Sequence, residues 1–351
     1  MNAVPPKSDL SGASRLPRDQ LGRPLHDLRI SVMDRCNFRC PYCMPETTYG
    51  EHFTFLGNDE RLSFDEIERL SRLAVSLGVS KLRLTGGEPL LRPNLADLIS
   101  RLRRLEGVDD LAMTTNGVLL ARQANDLRKA GLDRITISLD TLDPAIFHRL
   151  SGGRGALEDV MAGIEAAQAS GFPKGIKLNA VIQRGVNDDT ALDLVERFRG
   201  SGIVVRFIEY MDVGNRNDWA SDAVVPSREL VERINARWPL EAVAPQYPGE
   251  VATRYRFLDG IGEVGTISSV SNPFCGGCSR ARLSSEGLLY TCLFATKGAD
   301  LRTPLRNDES DEALIDRLRT IWLGRADRYS EERAARRQQN PQKIEMHYIG
   351  G

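Results

Sequence analysis

Six cysteines fall as two triplets, Cys36, Cys40, Cys43 and Cys275, Cys278, Cys292. Thiolates this close together are metal ligands. Zinc takes four protein ligands, usually as two pairs, whereas an iron–sulfur cluster held by three thiolates keeps one iron without a protein ligand, where a substrate can bind. Half of a zinc site, or thiols buried as small hydrophobes, are the alternatives for the first triplet. Zinc at the second lacks an obvious fourth ligand, because His26, His52 and His148 are distant in sequence and His347 lies in the terminal tail. Three disulfides are arithmetically possible. The cysteines are too close within each triplet for typical staples, however, and the chain shows no signal peptide, so it reads as a protein of a reducing cytoplasm.

A second set of residues points to an anion. Arg29, Arg83 and Lys177 fall inside otherwise apolar strand candidates. A cation there is costly unless it is paired, for example with Glu88 or Asp140, or bound to an anion. Arg280 and Arg282, two apart in an extended segment, project to one side, and paired guanidinium groups suit bidentate phosphate binding. Thr114, Thr115, Ser138 and Asn179 also end or line strands facing a common cavity. Thr85-Gly86-Gly87-Glu88-Pro89 ends the second strand, and adjacent glycines let a ligand approach the backbone, although taken alone the stretch reads better as a tight turn.

These residues need a frame. Apolar, β-branched runs at residues 28–32, 81–85, 111–115, 134–139, 175–182 and 204–208 alternate with amphipathic patterns at 64–77, 95–105, 121–130, 157–170 and 191–199. Ser63 with Glu66 forms a capping box, and Gly78 and Gly131 end helices. The alternation implies parallel strands with right-handed crossovers, as an open doubly wound sheet or an incomplete barrel. Beyond Met211 the rhythm changes, with a helix at 227–238, strands at 253–258 and 264–267 and a helix at 312–323. The expected divisions are an extension at 1–24, an α/β unit at 25–225, a region carrying the second triplet at 226–340 and a tail at 341–351. A transit peptide is disfavoured by Asp9 and Asp19. The 351 residues carry a net charge of −1, which argues against nucleic acid or a membrane surface as partner. No apolar run approaches the roughly 18 residues of a membrane span.

Cys36-Asn37-Phe38-Arg39-Cys40-Pro41-Tyr42-Cys43, with an aromatic residue directly before the last cysteine, resembles the motif of the radical S-adenosylmethionine (SAM) superfamily. That resemblance implies an incomplete (β/α)6 TIM-type barrel and makes Gly87 a candidate for the methionyl amino group of SAM. Four further features narrow it to the GTP 3',8-cyclases, which open molybdenum cofactor biosynthesis. They are the Phe274-Cys275-x-x-Cys278-x-Arg280-x-Arg282 segment, Cys292 before Leu293-Phe294, the Phe207-Ile208-Glu209-Tyr210-Met211 run and the terminal Gly350-Gly351. Ser279, Ala281, Asp212 and His347 depart from residues common in that family.

By the same resemblance, Cys36, Cys40 and Cys43 hold a 4Fe-4S cluster that cleaves SAM, contacted by Tyr42, Gly87, Ser138 and Met211. Cys275, Cys278 and Cys292 hold a second 4Fe-4S cluster in a C-terminal α+β region. Arg29, Arg83, Thr114, Lys177, Arg280, Ala281 and Arg282 match the family's GTP contacts. The implied reaction converts GTP to (8S)-3',8-cyclo-7,8-dihydroguanosine 5'-triphosphate. Implied partners are an electron donor such as flavodoxin or ferredoxin, cyclic pyranopterin monophosphate synthase as the next enzyme, and a second copy in a homodimer. Gly350 and Gly351 read by themselves as a frayed terminus, but the resemblance places them in the cavity in support of catalysis. The rival reading is another radical SAM enzyme with an auxiliary cluster, a peptide-modifying maturase.

Overall fold

The computed structural model describes residues 16–247, 249–339 and 342–350. Six parallel strands follow in order: β1 (Asp27–Ser31), β2 (Lys81–Thr85), β3 (Asp110–Thr115), β4 (Arg134–Ser138), β5 (Ile176–Ile182) and β6 (Val204–Glu209). Helices Phe64–Ser76, Leu95–Arg103, Ala124–Lys129, Leu157–Ser170 and Ala191–Phe198 connect them. The first begins with the expected capping box, Ser63 accepting the amide of Glu66 while Glu66 accepts that of Ser63. Such a cap contributes on the order of 1 kcal/mol. Its buried stripe, Ile67, Leu70, Leu73 and Ala74, packs against the outside of the sheet.

Beyond β6 come β7 (Leu240–Val243), β8 (Thr253–Phe257), β9 (Glu263–Ile267), β10 (Arg280–Leu283), β11 (Leu288–Tyr290) and β12 (Ala299–Asp300). All strands share one sheet in the order β12-β11-β10-β1-β2-β3-β4-β5-β6-β9-β8-β7. The C-terminal region therefore widens the barrel on both edges: β10 lies parallel to β1, and β9 parallel to β6. Eight strands run parallel, the antiparallel β11, β12, β8 and β7 flank them, and the sheet stays open.

Alternation along these strands sorts the side chains. Leu28, Ile30, Leu82, Leu84, Ile135, Ile137, Leu178 and Phe207 face the helices in the apolar core. Asp27, Arg29, Lys81, Arg83, Arg134, Ser138, Lys177, Asn179, Arg206, Arg280 and Arg282 face inward on a cavity.

Residues 18–24 do not form the extension that their composition suggests. Arg18 bridges Pro24, and Asp19 and Arg23 are buried against residues near 275 and 325. Two buried, mutually paired charges give this polar stretch its anchor. Residues 1–15 lie outside the described residues. No helix among the described residues is long and apolar enough to cross a membrane.

Candidate active site

The barrel interior is a cavity of about 360 Å³ whose walls include all six cysteines. None is in a disulfide.

The first triplet lies on the loop leaving β1. Arg39 pins that loop from within: its Nη1 donates to the carbonyls of Cys36 (2.7 Å) and Phe38 (2.8 Å), and its Nε to Tyr49 (2.6 Å). The amides of Cys43 and Met44 close back onto Cys40. Burial pushes the Cys36 thiol up to about 12, with Glu88 adding to the effect, and pushes Cys40 and Cys43 well upward too. Cys36 and Cys43 add to the cost of ionising Cys40, and Cys36 to that of Cys43, so the three ask for a cation to hold their thiolate forms.

Gly86 and Gly87 are explained by this loop. A Cβ on Gly86 would fall on the Met33 carbonyl, and one on Gly87 on the Arg35 carbonyl. Gly87 and Glu88 donate their amides to those carbonyls at 2.7 and 2.8 Å. The glycines bring β2's exit against the cysteine loop, and Gly87 still lines the cavity. Glu88 is buried and accepts from Thr115 Oγ1 (2.7 Å) and from the amides of Asn116 (2.8 Å) and Leu90 (3.0 Å). Asp140 accepts from Tyr42 Oη (2.7 Å) and the Val181 amide (2.8 Å). Neither carboxylate pairs with the barrel arginines, so the internal salt bridge considered for them is not formed.

The cations cluster without sufficient acid. Arg282, Arg29 and Arg83 are register partners on β10, β1 and β2. Arg83 donates to Thr114 (2.9 Å) and Thr136 (3.2 Å). Lys81 is paired with Asp27 at 2.7 Å and Arg134 with Asp110. Among the described residues, Arg29, Arg83, Lys177, Arg206, Arg280 and Arg282 make no ion pair, and Arg206 Nε has no hydrogen-bond partner. Burial lowers Lys177 to about 7, helped by Arg206 and Arg134, and lowers Arg206 and Arg83 to about 9. A patch of like charge on a cavity wall, with Arg83, Arg280 and Arg282 buried and Arg29, Lys177 and Arg206 half-buried, has the chemistry to hold an anion.

The second triplet lies opposite, on the Cys275–Gly277 turn before β10 and after β11. Arg325 Nη2 donates to Cys278 Sγ at 3.1 Å. Burial works against ionisation of Cys278, but Arg280 and Arg325 outweigh it and bring the thiol to about 7. Among the described residues no three His, Cys, Asp or Glu side chains gather as the ligands of a single ion would. A multi-iron cluster spreads its ligands over separate irons, so both donor sets suit a cluster better than zinc.

Thr114, Ser138, Met211 and Tyr42 all line the cavity as expected. Ala281 does not. Its side chain points outward into the apolar shell with Leu28, Leu70 and Trp322, because alternation puts it on the face opposite Arg280 and Arg282. Gly350 comes against Thr85, and its carbonyl accepts from Arg282. Gly351 lies outside the described residues. Sequence reasoning missed Lys81, Arg134 and Arg206, although each stands two residues from an inward-facing position on its strand and alternation would have found it.

The Radical SAM superfamily model matches residues 30–198, and the Molybdenum Cofactor Synthesis C model residues 203–331. A GTP 3',8-cyclase of Xanthomonas campestris pv. campestris (strain 8004) is 57% identical over 344 residues, 98% of this chain and 99% of that one. One from Acidothermus cellulolyticus is 51% identical over 358 residues, covering 95% and 99%. Among solved structures, Streptococcus suis SuiB bound to S-adenosylmethionine aligns with TM-score 0.58 and 15% identity over 94% of this chain and 76% of that chain, a likeness of fold. With a cysteine-lined cavity, a cation-rich barrel and relatives matching along nearly its whole length, the chain belongs to the GTP 3',8-cyclase family of the radical SAM superfamily.

Proposed function

We propose that this protein is a radical SAM GTP 3',8-cyclase, converting GTP to (8S)-3',8-cyclo-7,8-dihydroguanosine 5'-triphosphate at the start of molybdenum cofactor biosynthesis. The observation that carries this reading is the unpaired cation patch between two cysteine triplets in one cavity. Cys36, Cys40 and Cys43 would hold one 4Fe-4S cluster, and Cys275, Cys278 and Cys292 a second. Bound there and reduced, the first cluster would supply the electron for cleavage of SAM to methionine and a 5'-deoxyadenosyl radical.

The chain's own residues do the rest. Tyr42, Gly87, Ser138 and Met211, which line the same cavity, would orient SAM. Arg29, Arg83, Lys177, Arg280 and Arg282, with Arg206 beside them, neutralise a triphosphate, and Thr114 keeps Arg83 aimed at it. A nucleotide fixed at its phosphates presents its ribose to the first triplet and its base to the second. Such fixing replaces a random encounter by a held geometry, with reacting atoms roughly 3–3.5 Å apart. The barrel wall excludes water and side reactants from a primary carbon radical. Gly350, at φ +69° and held by Arg282, closes the wall beside Thr85; Gly351 would support the same closure.

A flavodoxin or ferredoxin fits as electron donor, cyclic pyranopterin monophosphate synthase as the enzyme that takes the product, and the cytoplasm as the compartment for two oxygen-sensitive clusters. A homodimer is part of this reading. The maturase reading has less support: the chain carries six cysteines in all, and a peptide gives the cation patch no partner. The test is turnover by anaerobically reconstituted protein with SAM, dithionite and GTP. Formation of the cyclic dihydroguanosine triphosphate supports the proposal; SAM consumed while GTP is recovered intact contradicts it.

A further inference from the structure

The two triplets differ in the charges nearest them. Around the first, buried Glu88 bears on Cys36 and half-buried Asp140 on Cys40, with Arg39 opposing them from within the loop. Around the second stand guanidinium groups, Arg280, Arg282 and Arg325, with one acid, Asp327, bearing on Cys292.

Arg325 is bound more firmly than its neighbours. Its side chain is 1% exposed. Nη2 donates to Cys278 Sγ at 3.1 Å, Nη1 donates to the Cys278 carbonyl at 2.6 Å, and the guanidinium carbon lies 4.6 Å from the Trp322 ring centre. Behind it, fully buried Asp19 approaches Nη1 at 3.4 Å and is also held by Arg23 Nε at 2.5 Å. Arg23 Nη1 in turn donates to the carbonyls of Cys275 and Asp327, both at 2.8 Å. Asp327 is the other acid near Arg325, also at 3.4 Å, but it is partly exposed and takes a hydrogen bond from Thr291. One buried Arg–Asp–Arg triad thus grips the backbone of two cysteines and the sulfur of one.

A guanidinium keeps its proton, so the charge beside that sulfur is permanent. Hydrogen bonds and charges at ligating sulfurs set the potential of an iron–sulfur cluster, because they favour the reduced, more negative state. We propose that Arg325, held in place by Asp19, acts through Cys278 to raise the reduction potential of the second cluster. Asp19 has a double effect, orienting Arg325 while partly offsetting its charge. The inference rests on the reading of Cys275, Cys278 and Cys292 as cluster ligands. It gives residues 18–24 a function: they carry the counter-charge of the second metal site.

The test is an anaerobic redox titration followed by electron paramagnetic resonance on the full chain. A chain with Cys36→Ala, Cys40→Ala and Cys43→Ala assigns the second cluster's signal. If that chain binds no iron, the ligand reading itself fails. With iron bound, Arg325→Gln moves the second cluster's midpoint to lower potential and leaves the first cluster's midpoint in place. Asp19→Asn, whose amide oxygen still accepts from Arg325 and so keeps it oriented while the opposing charge is removed, moves it to higher potential. Arg325→Lys, which keeps the charge and loses the planar fork, falls between wild type and Arg325→Gln. Unmoved midpoints in both Arg325→Gln and Asp19→Asn overturn the proposal. Should Arg325→Gln fail to retain the cluster, Asp19→Asn decides: an upward shift supports the proposal and an unchanged midpoint overturns it.

Discussion

Lys343 donates to the Asp212 carboxylate at 2.9 Å, and this contact ties the C-terminal tail to the loop leaving β6. Tyr329 (2.6 Å) and Arg333 (2.9 Å) share the same carboxylate, all with little exposure. Asp212→Ala would leave two cations beside each other with no acid. Breaking a buried pair costs about 3–5 kcal/mol, so the unfolding free energy should fall by about 3 kcal/mol and trypsin should cut after Lys343 sooner under native conditions. Burial opposes the ionised Asp212, but Tyr329, Lys343 and Arg333 prevail and hold its carboxyl below the ordinary value. Its contribution is therefore present above the unfolded value of about 3.9 and lost as pH falls through the lower folded one. Denaturant melts of wild type and variant should converge in strong acid.

Lys177 gives the opposite sign. In the free protein burial lowers it to about 7, with Arg206 and Arg134 pushing the same way. A triphosphate favours the charged form, so binding draws in a proton above pH 7. GTP affinity should weaken as pH rises from about 7, by up to about tenfold per unit from this group. Lys177→Arg, always charged, should flatten that slope. Calorimetric titrations at several pH values, in buffers of different ionisation enthalpy, measure both the affinity and the proton uptake.

Arg29 separates stability from binding. It is half-buried on the cavity wall, desolvation together with Arg282 and Arg280 pulls its proton affinity well below normal, and it has no ion pair among the described residues. Arg29→Met should raise the melting temperature of the ligand-free protein, since a desolvated charge crowded by like charges is removed. GTP binding should weaken by roughly 10–100-fold, the loss of about 1.5–3 kcal/mol for a hydrogen bond to a charged group. A variant destabilised and still binding normally would contradict the assignment.

Gly87→Ala tests the approach of β2's exit to the cysteine loop. The new Cβ would meet the Arg35 carbonyl, backbone against backbone, and one element must move. The expected result is lowered iron content at the first triplet with the second triplet's iron retained. Equal iron at both would mean that the loop accommodates the methyl.

Much of this was legible in the sequence because alternation along β1–β6 is regular: Leu28 and Ile30 face out while Arg29 faces in. In a barrel whose interior is a polar cavity, that pattern marks cavity and shell together. The C-terminal strands were harder to read. β10, Arg280-Ala281-Arg282-Leu283, reads as an extended segment with both arginines on one side, but nothing local shows that it pairs with β1 and so turns those cations into the barrel. The resemblance puts Ala281 among the nucleotide contacts, whereas the pleat turns its side chain outward. Asp19 and Arg23 read as part of a polar extension because what holds them is far along the chain, Arg325 for Asp19 and the carbonyls of Cys275 and Asp327 for Arg23, and tertiary pairing of that kind leaves no local mark.

The central claim is that a nucleotide sits between the two triplets with its ribose toward the first. GTP deuterated at C3', given to the anaerobically reconstituted protein with SAM and dithionite, tests it directly. The account predicts deuterium in the 5'-deoxyadenosine formed; 5'-deoxyadenosine without deuterium, made at an undiminished rate, would contradict it.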